Sequence, residues 1–285
     1  MPGSAMWPKR SASRAFLSIE DQRREPGEME HFTRSAITTI RQNYHEPLYL
    51  DDLARSVMMS KFYFLRAFRR TTGVTPGRFL SAVRLHEAKR LLVNTSFTVA
   101  DISAHVCYSS PGTFSRRFTA SVGLSPTQYR RIGQDDSGEY PRITPFPVAP
   151  GPLGSISGTV HVTGTALSPL YIGAFDSPIL QGQPSAWSKI DGAGPFSLNN
   201  VPPGTWYLHA VAHGARATSD PCSVSPLLVG TTDPVQIGAD APSRLDIAVG
   251  QEDWTRPPVL LALPGFGSQL RGVPKSCDLV GAPAR

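Results

Sequence analysis

The sequence predicts a multidomain chain: an all-α domain in which one small unit is used twice, then an all-β antiparallel sandwich. Three observations carry that reading. Phe68, Gly73, Pro76 and Phe79 recur as Phe118, Gly123, Pro126 and Tyr129, each 50 positions on. Asp52 and Leu53 recur as Asp101 and Ile102 at a spacing of 49, so the second copy carries one extra residue in its turn. Repetition this tight implies two copies of one supersecondary unit. Charge is uneven as well: Lys and Arg exceed Asp and Glu by 10 in residues 31–133, balance them in 1–30, and fall 4 short of them in 134–285. Finally, beyond Pro141, Pro145, Pro147, Pro150 and Pro152 the apolar period changes from that of a helix to that of a strand.

The elements follow in order. Residues 1–30 have mixed charge and no pattern, as in a disordered arm. Ile37, Ile40 and Tyr44 mark an amphipathic helix that ends before Pro47. Leu50 to Val57 is a short helix with Asp51 and Asp52 in its first turn. Ser60 is an N-cap for a third helix that runs through Arg70 and closes at Gly73. Thr75-Pro76 repeats the start signal, a hydroxyl cap with proline at the first helical position. That fourth helix, through Asn94, is the longest. Thr98 to Val106 is a fifth, Ser110-Pro111 opens a sixth that closes at Gly123, and Ser125-Pro126 opens a seventh through Arg131. Residues 134–153 read as a proline-stiffened linker. From residue 154 to 250, segments such as S-I-S-G-T-V-H-V, P-L-Y-I-G-A-F, P-F-S-L, T-W-Y-L-H-A-V-A, P-V-Q-I and R-L-D-I-A-V alternate apolar and polar residues between turns. Short strands so spaced predict the sandwich. Residues 251–285 read as an irregular tail, mobile from 267.

Composition excludes several classes. Cys107, Cys222 and Cys277 are widely spaced and form no C-x-x-C, so neither a disulfide framework nor a zinc site is expected. Free thiols fit a reducing cytoplasm. There is no apolar run of about 18 residues to cross a membrane, and no apolar stretch after Lys9 and Arg10 to make a signal peptide. No nucleophile elbow, phosphate loop or paired acidic motif is present, so no enzyme is expected and no cofactor is implied. His209 and His213 could share a strand face, but no carboxylate or nearby cysteine completes a ligand set.

Within each repeat a short helix, a tight turn and a second helix follow one another. That is a helix-turn-helix, whose second helix can enter the DNA major groove. Leu53, Ala54, Val57, Phe64 and Phe68 form one small core, and Ile102, Val106, Phe114 and Phe118 the other. A fourth helix of 19 residues is about 28 Å long. It can hold two recognition helices roughly one DNA turn apart, about 34 Å.

Helical phase assigns candidate contacts. Lys61, Phe62, Leu65, Arg66 and Arg69 lie on the outer arc of the first recognition helix. Arg66 is the best base reader, because a guanidinium pairs bidentately with guanine. Phe62 and Leu65 can touch only thymine methyls or sugars, and Leu65 reads equally well as core. The second helix offers Ser110, Pro111, Gly112, Ser115 and Arg116, with Thr119 at the margin; Arg117 suits a phosphate.

Four stretches identify a resemblance: L-A-x-x-x-x-M-S-K at 53–61, R-A-F-R-R-T-T-G-V-T-P at 66–76, R-L-x-x-A-x-x-L-L at 84–92, and F-S-R-R-F-x-x-x-x-G-L-S-P-x-x-Y-R at 114–130. Over about residues 33–131 the chain resembles the DNA-binding domain of AraC/XylS-type bacterial transcription regulators. The resemblance implies two helix-turn-helix units joined by a long helix, double-stranded DNA and RNA polymerase as partners, and DNA contacts at 62, 65 and 66. Met58 and Cys107 depart from it, since the family has glycine at that turn. Cys107 reads as a structural thiol, with a redox switch as the alternative. The segment P-F-S-L-N-N-V-P-P-G-T-W-Y-L-H-A-V-A at 195–212 resembles the carboxypeptidase-regulatory-like and Cna-B-type β-sandwich domains. The expected function is therefore sequence-specific transcription regulation. The alternative is that DNA binding localises a sandwich which takes a small-molecule effector or a protein partner. Trp187, Trp206 and Tyr207 are candidate surface for that role.

Overall fold

A computed structural model of the chain describes residues 26–134, 152–164, 166, 169–214, 226–238, 242–251 and 253–262. Among these, seven helices precede nine strands: α1 (Pro26–Gln42), α2 (Leu50–Ser56), α3 (Lys61–Thr72), α4 (Pro76–Asn94), α5 (Val99–His105), α6 (Pro111–Val122) and α7 (Pro126–Gln134). Helix α1 begins at Pro26, inside the segment expected to be an arm. The remainder of that arm, most of the linker, Cys222, Cys277 and the tail from 263 lie outside the described residues.

The caps explain the helix ends. Thr75, Thr98 and Ser110 each accept a backbone N–H from three residues on. Thr98 and Asp101 cap reciprocally, and the Thr98 hydroxyl and amide hold the Asp101 carboxyl below its ordinary range. Gly73 and Gly123 end α3 and α6 at φ 77° and 86°, a conformation that favours glycine. Ser60 occupies the expected N-cap position without making the cap bond.

The duplication is visible in the packing. Phe68 meets Phe64 and Phe79 with ring centroids 5.6 Å apart in both pairs, and Phe118 meets Phe114 and Tyr129 at the same 5.6 Å. Every residue expected in the two small cores is buried. Arg84 binds the carbonyls of Tyr44 and Glu46, and Arg130 binds those of Leu92 and Phe97. These two arginines therefore tie the helices to one another and to the loops beside them.

The β-rich part is β1 (Gly154–Val162), β2 (Leu170–Phe175), β3 (Ala186–Ile190), β4 (Gly194–Val201), β5 (Gly204–His213), β6 (Leu227–Thr231), β7 (Val235–Ile237), β8 (Pro242–Arg244) and β9 (Ile247–Gln251). Its strands bond into one sheet in the order β3-β2-β5-β6-β9-β1-β4, with β7 on β5 and β8 on β1. Strands β3 and β4 at the two ends of that path lie together, so the form is nearly closed and barrel-like. Separate sandwich layers were the expectation; a continuous sheet replaces them. It is not wholly antiparallel, since β1 runs parallel to both β8 and β9. The segment 195–212 is a strand, a turn and a strand whose partners differ: β4 pairs with β1, while β5 pairs with β2, β6 and β7. Trp206 Nε1 closes the turn between them by donating to the Pro202 carbonyl at 2.7 Å.

The two halves are in contact. Ile179 and Leu260, from the β-rich half, are buried in the helical core. The segment 253–262 has no regular structure, yet Thr255, Leu260 and Leu261 are buried.

Candidate nucleic-acid interface

Each recognition helix is fixed by a buried stripe and leaves an outer arc free. In α3, Phe64, Ala67 and Phe68 are buried, while Lys61, Phe62, Arg66 and Arg69 are exposed. Phe62 is 68% exposed. Leu65 is half-buried, between the two roles open to it. In α6, Phe114 and Phe118 are buried, and Pro111, Gly112, Arg116 and Arg117 are exposed.

The charges divide into committed and available sets. Lys61 Nζ lies 2.8 Å from Asp51 of α2, and Arg55 pairs with Asp52. Among the described residues, no carboxylate pairs with Arg66, Arg69, Arg116 or Arg117. Two hydroxyls are less available than their positions suggest. Ser110 Oγ accepts the Thr113 amide at 3.2 Å and donates to Thr113 Oγ1 at 3.0 Å, so it caps the helix. Thr119 Oγ1 turns back to the Ser115 carbonyl at 2.8 Å. Ser115 is itself half-buried. The second helix thus presents Arg116 beside a ring and a glycine.

Tyr49, which the sequence reading does not name, and Met58, named there only for its turn, are exposed at 66% and 80% on either side of α2. With Phe62 they put three large apolar groups on the exposed surface of the first unit. The signal was an aromatic residue at a helix N-cap.

His209 serves structure. His209 Nε2 donates to the Ser177 carbonyl and Nδ1 accepts from Thr231 Oγ1, both at 2.9 Å. Burial lowers its pKa to about 4, so it is neutral near pH 7. Among the described residues no group of three or more His, Cys, Asp or Glu is placed to hold a metal.

Two helix-turn-helix units joined by one helix, each with a buried stripe and a basic outer arc, make the helical region a double helix-turn-helix DNA-binding domain. Residues 53–132 match the family described as a helix-turn-helix domain. The chain is 33% identical over 95 residues to the lactose operon transcription activator of Staphylococcus xylosus, covering 33% of this chain and 34% of that protein. It is 34% identical over 98 residues to the transposon Tn10 TetD protein of Escherichia coli, covering 34% of this chain and 71% of that protein. The DNA-binding domain of AdpA, solved in complex with a target DNA, is 28% identical, with a TM-score of 0.34, over 35% of this chain and 89% of that one. Through its helical domain the chain belongs to the AraC/XylS-type transcription regulators. It spans about a third of the length of the first curated relatives it matches.

Among the described residues no helix is long and apolar enough to cross a membrane.

Proposed function

We propose that the chain is a sequence-specific transcription regulator that lays α3 and α6 into two adjacent major-groove segments. One observation carries this reading: two units with matching aromatic cores turn exposed arginines, free of carboxylate partners, outward from helices joined by a single 19-residue helix. Arg66 and Arg116 read bases; Lys61, Arg69 and Arg117 meet phosphates; Phe62 and Leu65 contact thymine methyls or sugars. Pro111, Gly112 and Ser115 lie against the groove, and Ser110 sets the helix start. RNA polymerase is the further partner in this reading.

An effector or protein partner would act at the β-rich half. A cavity of about 600 Å3 lies there, between Val229 and Ile247 of the sheet and Arg256, Pro257 and Val259 of the docked segment. Its size is that of a small-molecule site.

The test is a salt titration of duplex-DNA binding by the full chain. Each phosphate neutralised adds about −0.9 to the log–log slope, so several contacts give a steep line. A slope near zero overturns the reading.

A further inference from the structure

Two segments of the β-rich half lie against the helical domain: residues 177–182 reach the C-terminal end of the recognition helix in each repeat, and residues 253–262 reach it in the second. At α3, the Cβ position of the capping Gly73 is 4.0 Å from Pro178 Cβ, and Arg78, two residues into α4, donates to Ser177 Oγ at 3.1 Å. At α6, the Gly182 amide donates to the Ser121 carbonyl at 2.8 Å and the Ala262 amide to the Val122 carbonyl at 3.0 Å. Leu261 lies beside Gly123, the cap of that helix.

The two segments are also bonded to each other. The amides of Leu260 and Leu261 both donate to the Leu180 carbonyl, at 3.0 and 3.1 Å. Ile179 from one and Leu260 from the other enter the helical core, 3% and 0% exposed. Behind them, Lys89 in the middle of α4 donates to the Val259 carbonyl at 3.2 Å, and Arg41 at the end of α1 donates to the carbonyls of Trp254 and Arg256. The loop is fixed from the sheet side by His209, which holds the Ser177 carbonyl. The outer arcs of α3 and α6 stay exposed with all of these contacts made.

We propose that residues 177–182 and 253–262 form a brace that sets the mutual rotation of the two recognition helices on DNA, with Ile179, Gly182, Leu260 and Ala262 as positioning residues. A single linking helix fixes the distance between the units but leaves each free to pivot about its own end. The brace removes that freedom by tying both helix ends to one loop pair. The consequence is selectivity for the spacing between half-sites, without any contact from the β-rich half to DNA. This rests on the two-segment reading proposed above.

The experiment selects bound sequences from a random-sequence duplex library with the full chain, as wild type, Leu260→Ala and Ala262→Pro. Leu260→Ala empties the core position. Ala262→Pro removes the amide bonded to Val122 and leaves that core side chain in place. The wild type is expected to enrich one bipartite motif at a single spacing, favoured at least tenfold over spacings one base pair longer or shorter. Each variant is expected to keep the base preference within each half-site and to accept neighbouring spacings within about threefold. A merely structural loss lowers binding to every sequence and leaves the spacing preference unchanged. If both variants retain the wild-type spacing preference, the brace is refuted. If the wild type enriches no bipartite motif, the two-segment reading fails, and the brace with it.

Discussion

Met58 and Cys107 hold the same backbone conformation at the same step of their respective turns, φ 49° and 59°. Neither is glycine, and a side chain there costs roughly 1–2 kcal/mol in steric conflict. Replacing either by glycine relieves that conflict but adds freedom to the unfolded chain. Met58, 80% exposed, has little packing to lose. Met58→Gly should therefore stabilise the protein by about 1 kcal/mol, read as a higher midpoint of denaturant unfolding. Cys107→Gly should gain less, because the half-buried thiol gives up contacts. A lower midpoint for Met58→Gly would show that this turn is not strained.

The two reading helices are unequal. Arg66→Ala should weaken binding by about 1–3 kcal/mol and relax preference at one or two base pairs, measured by titration against matched and substituted duplexes. The half-site under residues 110–120 should carry less information, since Ser110 caps and Thr119 folds back. A Cβ placed at Gly112 meets nothing within 4 Å. Gly112→Gln should therefore fold and add a base preference that the wild type lacks. Half-sites of equal information content in a selection experiment would contradict this assignment.

Acid should release the brace. Burial lowers His86 to about 4, with Lys89 adding to the effect and Glu87 and the Val259 carbonyl opposing it. Burial also lowers His209 to about 4, opposed by the Ser177 carbonyl and reinforced by Arg256. In the released state both rings return toward the ordinary value near 6.5. Between these limits the released state binds more protons, so docking gains with rising pH. It is complete above about 6.5 and is lost as pH falls toward 4. Protease accessibility of residues 253–262 across that range should rise on acidification, and His86→Phe should flatten the rise.

The helical domain was legible because its signals are local. Thr75, Thr98 and Ser110 cap within three residues of themselves, Gly73 and Gly123 mark left-handed ends, and the repeat fixes the register. Helix α1 was placed too late because Pro26 is a helix start that its polar neighbours hid. Strands were found where polar and apolar residues alternate. β3 (A-W-S-K-I) sets two apolar residues and then two polar ones side by side, which breaks the alternation, and β6 (L-L-V-G-T) opens with a continuous apolar run. On the outer arcs read from helical phase, Leu65 and Ser115 are half-buried, and the hydroxyls of Ser110 and Thr119 are used by their own helix. The brace was invisible: Arg78 and Ser177 are 99 residues apart, and nothing in a proline-rich segment says that Leu260 belongs to a helical core.

Leu260 also gives the chain a chronology. Helical segments with local contacts form early, and domains emerge from the ribosome N-terminal end first. The helix-turn-helix pair is therefore made while its core still lacks a side chain that lies beyond the entire sheet. Until residue 262 has been synthesised, the socket for Leu260 is empty and the Val122 carbonyl waits for the Ala262 amide. A nascent chain can thus hold two formed reading heads and no fixed gauge between them, and the gauge closes as one of the last steps of folding.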